Sequence, residues 1–524
     1  MTTPPAKLLV IGIDAASPEL LDTWMADGTL PHLAVLAKRG LVGHTRGVEG
    51  FFVGSTWPSL YTGTNPAQHG FHYQVQLATG SYRLEDRALG AFVERDPFWR
   101  VLSRAGKRVA VLDVPLARIE QQMNGVQVVE WGGHDSFFGY STTPPELASQ
   151  IESRFGNHPA GTSCDAAARD ARGYVDFVAS LEEGVRRRTK WTLELLERGG
   201  WDLFMTVFTE SHCVGHQCWH LHDTEHPAHD ASVAAVTGNP LRSVYRAIDE
   251  AIGALVQGAG DAQIVVFAAH GMATRYGAHF LLRDLLYALG VAAPPPVLLR
   301  SRLREAAARV WRALPKSVRS GLSPLRDRVT AGDAAGASLS EIGVDLEHSR
   351  CFPLANGLAV GGIRLNLAGR EPRGTLKPGE DADRFCAQLE ADLREIVDEV
   401  SGEPLVRRVA RTRDLYAGER LDALPDLLIE WNDGVARGST ALGRGAAAHV
   451  RAQSSKIGTV EGANAYGRSG EHCAGGWFVA AGPDVRAGRL SREPSLLDLA
   501  PTFTRMLGVA LPDASGAPIE EIVP

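Results

Sequence analysis

The chain has 524 residues, 44% hydrophobic and 22% charged, with a formal net charge of -7. Such values fit a soluble globular protein built as one large α/β domain with insertions, or as two domains. No long basic run dominates, which argues against nucleic acid as a general partner, and no run of about 18 apolar residues occurs that would form a transmembrane helix.

Taken in chain order, the first element is a strand. Lys7 is followed by six apolar or glycine residues, Leu8 to Ile13, before Asp14. The run is too short for a secretory h-region and reads as a buried strand. Ser17 then fits a helix N-cap with Pro18 at the first helical position. Gly54-Ser55-Thr56-Trp57-Pro58 comes next, and here Pro58 fits the first turn of a helix with Ser55 or Thr56 at its N-cap. A hydroxyl at that place can be a nucleophile or a metal ligand, or simply a cap.

Val109 to Leu112, Leu203 to Val207 and Ile264 to Ala268 are further short apolar strands. Alternating strands and helices imply a mainly parallel sheet covered on both faces, with ligands at the carboxyl ends of its strands. Asp14, Glu210 and His270 all follow strand ends, so three polar groups can converge there. The densest signal is Glu210 to His222, where His212, His216 and His220 are spaced by four and could line one helical face toward a metal. His226, next to Pro227, reads as a surface-loop residue. Cys213 and Cys218 lack the spacing of a zinc module and read as packing residues.

From Pro294 to Gly336 the pattern breaks, with three consecutive prolines and Arg300, Arg302, Arg304, Arg309, Arg312, Lys316 and Arg319. Residues 290–345 are therefore read as a helical basic insertion or cap. A solvated face is the preferred reading, ahead of a surface for acidic partners or lipid headgroups. His472, in Gly470-Glu471-His472-Cys473, precedes a last apolar run, Trp477 to Ala480. The six cysteines (Cys164, Cys213, Cys218, Cys351, Cys386, Cys473) have no framework spacing and read as reduced thiols of a cytoplasmic protein.

As an ordered set these residues resemble the alkaline phosphatase superfamily, in its type I phosphodiesterase/nucleotide pyrophosphatase branch. Val10-Ile11-Gly12-Ile13-Asp14, Thr62-Gly63, Pro66-Ala67-Gln68-His69-Gly70, Gly215-His216, His270-Gly271-Met272 and His472 fall in the order of that branch. So do Gly361 to Leu367, Gly369 to Pro372 and the tail from Leu497 to Gly508, so that the match spans nearly the whole chain. The resemblance implies an alkaline phosphatase-like α/β fold and a metal-dependent hydrolase of a phosphate ester, whether phosphodiester, pyrophosphate or phosphomonoester. It implies one or two divalent ions, zinc foremost and manganese or iron as alternatives, with a small anionic ester as substrate. His212, His216 and His472 would form one metal site, and Asp14, His270 and the nucleophile hydroxyl the other. The oligomeric state is open, with a homo-oligomer among the choices.

The chain departs from the pattern at informative places. His212 stands where the family has an aspartate, and so does Ala269. The family nucleophile lies ten residues before the glycine of Thr-Gly, which here is Val53. Ser55 is then the expected nucleophile and metal ligand through a local shift of the helix start, with Thr56 as the alternative. Glu210 could fill in as a ligand for the lost carboxylates. Rival readings are a phosphotransferase or mutase, and a degraded member that binds metal or ligand without turnover.

Overall fold

A computed structural model describes residues 6–88, 92–133, 136–161, 163, 169–274, 278–295, 342–432, 448–464, 467–483 and 485–523. Most of the expected 290–345 insertion, residues 296–341, lies outside the described residues.

The first strand, β1 (Ala6–Ile13), is buried along its length except at Lys7. A nearly continuous apolar run is what a strand covered on both faces requires. It lies at the centre of a nine-stranded sheet. The others are β2 (Leu41–Thr45), β3 (Val109–Leu112), β4 (Gly125–Val129), β5 (Ser141–Thr143), β6 (Trp201–Phe208), β7 (Gln263–Ala268), β8 (Gly476–Ala481) and β9 (Gly488–Arg489). Their spatial order is β9-β2-β8-β7-β1-β6-β3-β4-β5. The run from β7 to β4 is parallel, while β8 and β5 pair antiparallel with their neighbours. All four strands read from the sequence are present, and the sheet is mainly parallel as expected.

Register decides where the site forms. Gly12 pairs with Val207 on one side and Phe267 on the other, and Leu112 pairs with Thr206 and Val128. The carboxyl ends of five parallel strands therefore lie level, and they deliver His270, Asp14, Thr209, Asp113 and Glu130 in that order along one edge. A Cβ on Gly12 would lie 3.0 Å from Val207 and 3.2 Å from the Trp57 ring. The glycine thus leaves room for the Trp57 ring against the central strand.

Helices cover both faces. Pro18–Ala26, Ala171–Glu197, Glu210–His222 and Pro240–Ala259 bury their apolar stripes in one core, which holds Leu21, Leu181, Val214 and Ile252. Thr56–Thr62, Phe98–Arg104 and Leu499–Met506 build the other, with Leu60, Phe98 and Phe503. Ser17 caps the first of these helices through its side chain, and Pro18 is its first residue, as the sequence indicates. A separate four-stranded antiparallel sheet, Cys351–Leu354, Val360–Leu365, Leu427–Trp431 and Val406–Arg411, packs on its own core with helix Glu380–Arg394. The sequence reading did not foresee this sheet. No helix among the described residues is long and apolar enough to cross a membrane.

Candidate active site

Three elements bring the histidines together. Helix Glu210–His222 starts directly after β6 and carries His212 and His216 one turn apart on one face. A two-stranded ribbon, Gly271–Thr274 with Gly470–Cys473, sets Met272 opposite His472. The ribbon packs on the helix at Gly215, where an added Cβ would lie 2.8 Å from Met272 Cγ. The glycine of Gly215-His216 is thus the space that lets ribbon and helix close.

His212 Nε2 lies 3.1 Å from His472 Nε2. His216 Nδ1 donates to the Gly470 carbonyl at 2.7 Å, which places its proton on Nδ1 and presents the Nε2 lone pair. One nitrogen from each of His212, His216 and His472 lies within 4.8 Å of the others, and all three residues are buried. A tetrahedral zinc with Zn–N distances of about 2.0–2.1 Å has ligand nitrogens roughly 3.3 Å apart. The His212–His472 separation fits two ligands of one cation, and the three-histidine donor set suits zinc or iron better than manganese, which prefers oxygen ligands. Arg468 donates from Nη1 to His216 Nε2 at 3.0 Å and so occupies the lone pair that a cation would use; a cation bound here must displace the guanidinium to the edge of the cluster.

His270 stacks on His472, with ring centroids 4.5 Å apart and planes 7° from parallel. Its Nδ1 is 4.0 Å from Asp14 Oδ1. Asp14 in turn accepts the Trp57 indole N–H at 2.8 Å. Asp14 and His270 are therefore close, beside the three-histidine group. Ala269 offers no further donor there.

The structure gives other places to four sequence candidates, Ser55, Thr56, Glu210 and His220. Ser55 is fully buried and donates from Oγ to the Phe71 carbonyl at 2.8 Å. His69 Nε2 is 3.3 Å from that hydroxyl, but His69 Nδ1 accepts the Phe71 amide, so its proton sits on Nε2. His69 is therefore a donor to the serine hydroxyls and not a base for them. Burial holds its pKa down at about 3, with Arg95 adding to the effect. Thr56 Oγ1 donates to the Phe52 carbonyl at 2.8 Å. Neither hydroxyl lines the cavity described below, whereas Val53 and Gly54 do. The helix begins at Thr56 with Ser55 at its N-cap, one of the two caps read from the sequence, and the Ser55 side chain makes no capping bond.

Glu210 is also committed elsewhere, 3.2 Å from His158 Nε2 and 3.4 Å from Arg188 Nε. Burial raises its pKa, but Arg188 and His158 outweigh that and leave it below the usual carboxylate value. His220 falls outside the cluster and contacts Ser469 Oγ at 3.0 Å. Each four-residue step drifts about 40° around a helix, so His220 stands about 80° from His212. His226 is buried, not a surface residue, and its ring faces His220. Cys213 and Cys218 pack in the core as expected.

A cavity of about 460 Å³ opens over this group. Its lining includes Asp14, His212, His270 and His472 together with Arg468, Glu471, Trp57 and Asp113, which sequence reasoning missed. Asp113 carried a legible signal, since it follows a predicted strand just as Asp14 does. Ala15, Asp113, Leu116 and Glu130 adopt positive φ of 51–57°, uncommon for non-glycine residues and concentrated at this edge of the sheet.

Comparison with known proteins adds the following. The sequence model of the type I phosphodiesterase/nucleotide pyrophosphatase family matches residues 8–453. No curated protein matches. Among solved structures, phosphonoacetate hydrolase from Sinorhizobium meliloti 1021 in complex with phosphonoformate aligns over 95% of this chain and 94% of its own, at TM-score 0.50 and 15% identity. Murine ectonucleotide pyrophosphatase/phosphodiesterase 5 aligns over 98% and 97%, at TM-score 0.45 and 13% identity. The first of these likenesses shows a shared alkaline phosphatase-like fold.

Proposed function

The chain belongs to the type I phosphodiesterase/nucleotide pyrophosphatase family, and from that premise we propose that it hydrolyses an anionic phosphorus ester at a divalent cation held by His212, His216 and His472. The observation that carries this reading is the 3.1 Å approach of His212 and His472, which both line the cavity, with His216 beside them. A cation there would supply Lewis-acid polarisation of a phosphoryl oxygen and lower the pKa of water.

The chain's own groups divide the remaining work. Arg468, released from His216 Nε2 when a cation takes that nitrogen, supplies a positive donor for a non-bridging oxygen. The Trp57 indole N–H orients the Asp14 carboxylate, which can accept the proton of an attacking water, with His270 beside it. Water is the proposed nucleophile, because Val53 lines the cavity at the family's nucleophile position and the Ser55 and Thr56 hydroxyls are bonded away from it. Val53 and Ala269 both lack donors, so at the family's second position an ion would find Asp14 and His270 alone among the residues carried over from the family pattern. One ion per chain is the proposed stoichiometry, zinc foremost.

The same two departures favour a second reading, ligand binding without turnover. The test is hydrolysis of bis(p-nitrophenyl) phosphate and p-nitrophenyl phosphate by the zinc- or manganese-loaded chain. Turnover that is lost in His216→Ala supports the hydrolase. Metal retention without product from either ester supports the binding reading.

A further inference from the structure

We propose that the substrate is amphiphilic: an anionic phosphorus head joined to an alkyl or aryl group, in place of a sugar or nucleoside. This inference rests on the hydrolase reading and concerns the other end of the same cavity.

The cavity follows the carboxyl edge of the sheet. His270, Asp14 and His212 follow β7, β1 and β6, while Asp113 to Leu116 and Glu130 follow β3 and β4. With strands about 4.8 Å apart, four steps from β7 to β4 span about 19 Å, more than a phosphoryl head fills. Between the carboxylates of the far end the lining carries apolar side chains, Val114, Pro115, Leu116 and Phe137, with Val53 and Leu358 along the wall. Val53 is held against Gly357, where an added Cβ would lie 2.6 Å from it. Asn356 Nδ2 donates to the Gly50 carbonyl at 2.8 Å and fixes that loop.

The carboxylates at this end are already engaged by the protein. Asp113 accepts the Trp131 and Gly132 amides at 2.7 and 2.8 Å and pairs with Arg188 at 2.6 Å. Glu130 accepts the amides of Phe137, Phe138 and Gly139 at 2.8, 3.0 and 2.6 Å, together with the Ser136 hydroxyl. Glu130 is saturated and Asp113 has three of about four acceptor sites filled, so most hydroxyls and amides of a sugar or base would go unpaired here, which is costly. An alkyl or aryl group loses nothing there and gains by leaving water. Among the described residues, Thr209, whose hydroxyl donates to the Gly132 carbonyl, and the half-buried Tyr73 and Gln74 are the other polar side chains beyond the metal end.

The test is calorimetric binding of methyl-, butyl- and hexylphosphonate to the zinc-loaded chain, with turnover of p-nitrophenyl phosphate esters measured in parallel. Kd is expected to fall about three- to fourfold per added methylene until the far end is full. Phe137→Ser should flatten this dependence while leaving methylphosphonate affinity, which reports an intact head site, unchanged. A flat series in the wild-type chain, with methylphosphonate bound and ester turned over, overturns the amphiphilic substrate and leaves the hydrolase standing. Binding of no phosphonate together with no turnover overturns both.

Discussion

Arg188→Met removes the positive charge from the most deeply buried ionic group near the site and roughly keeps its volume. The Arg188 side chain has no solvent exposure. Its Nη1 lies 2.6 Å from Asp113 Oδ2 and donates to the Val207 carbonyl at 2.7 Å, and its Nε is 3.4 Å from Glu210 Oε1. Breaking a buried pair by deleting one partner costs about 3–5 kcal/mol, because the other charge stays buried. Here Asp113 keeps two backbone amides and Glu210 keeps His158, so the lower end, about 3 kcal/mol, is expected. The assay is urea denaturation followed by tryptophan fluorescence at pH 7 and pH 5.

The pH dependence has a definite sign. In the wild-type chain burial raises the Glu210 pKa, Arg188 and His158 outweigh it, and the folded value lies below the unfolded one. That contribution to stability is present above the unfolded pKa and fades as pH falls through it. In Arg188→Met burial prevails, the folded pKa rises, and Glu210 takes up a proton on folding. The deficit of the variant should therefore shrink as pH falls from 7 to 5. A deficit under about 1 kcal/mol, or one that grows in acid, would refute the reasoning.

Three further outcomes follow from the same geometry. Ser55→Ala and Thr56→Ala should each keep turnover, with a stability loss of about 1 kcal/mol from the lost buried hydroxyl bond, and no phosphopeptide should be trapped from the wild-type chain. A dead Ser55→Ala that still binds metal would restore serine as the nucleophile. Gly215→Ala should destabilise by about 1–3 kcal/mol despite the helical preference for alanine, because its Cβ meets Met272 at 2.8 Å. Metal retention should weaken as His216 and His472 move apart, and an unchanged melting temperature and metal content would contradict this. Finally, His69, His72 and His220 are each held at about 3 by burial, against an ordinary value of 6.5. Their contribution is intact above pH 6.5 and lost as pH falls toward 3, at about 2 kcal/mol each between pH 7 and pH 5. A denaturation midpoint independent of pH over that range would rule it out.

Much of this architecture was legible because strand ends are legible. Short apolar runs closed by Asp14, Thr209-Glu210 and His270 marked both the sheet and its active edge, and the four-residue spacing of His212 and His216 marked one helical face. Side-chain direction was not legible. His220 shares the spacing but has rotated out of the cluster, and Ser55 has the right chemistry on the wrong side of its turn. The Arg188 network was missed although it had a signal: Leu181, Val185, Arg188, Thr192 and Leu195 share the buried stripe of helix Ala171–Glu197. An arginine on such a stripe needs buried carboxylate partners. Arg468 and Glu471 reach the cavity through long-range pairing of the ribbon, which no local pattern encodes.

The central claim is that His212, His216 and His472 together hold the catalytic cation. Its most direct test is the metal content of the purified chain after zinc loading and exhaustive dialysis, compared with that of His472→Ala. One zinc per wild-type chain, and loss of that zinc in the folded variant, is the predicted result. Equal zinc in both proteins, or none in the wild-type chain while ester turnover persists in chelator, would contradict the account.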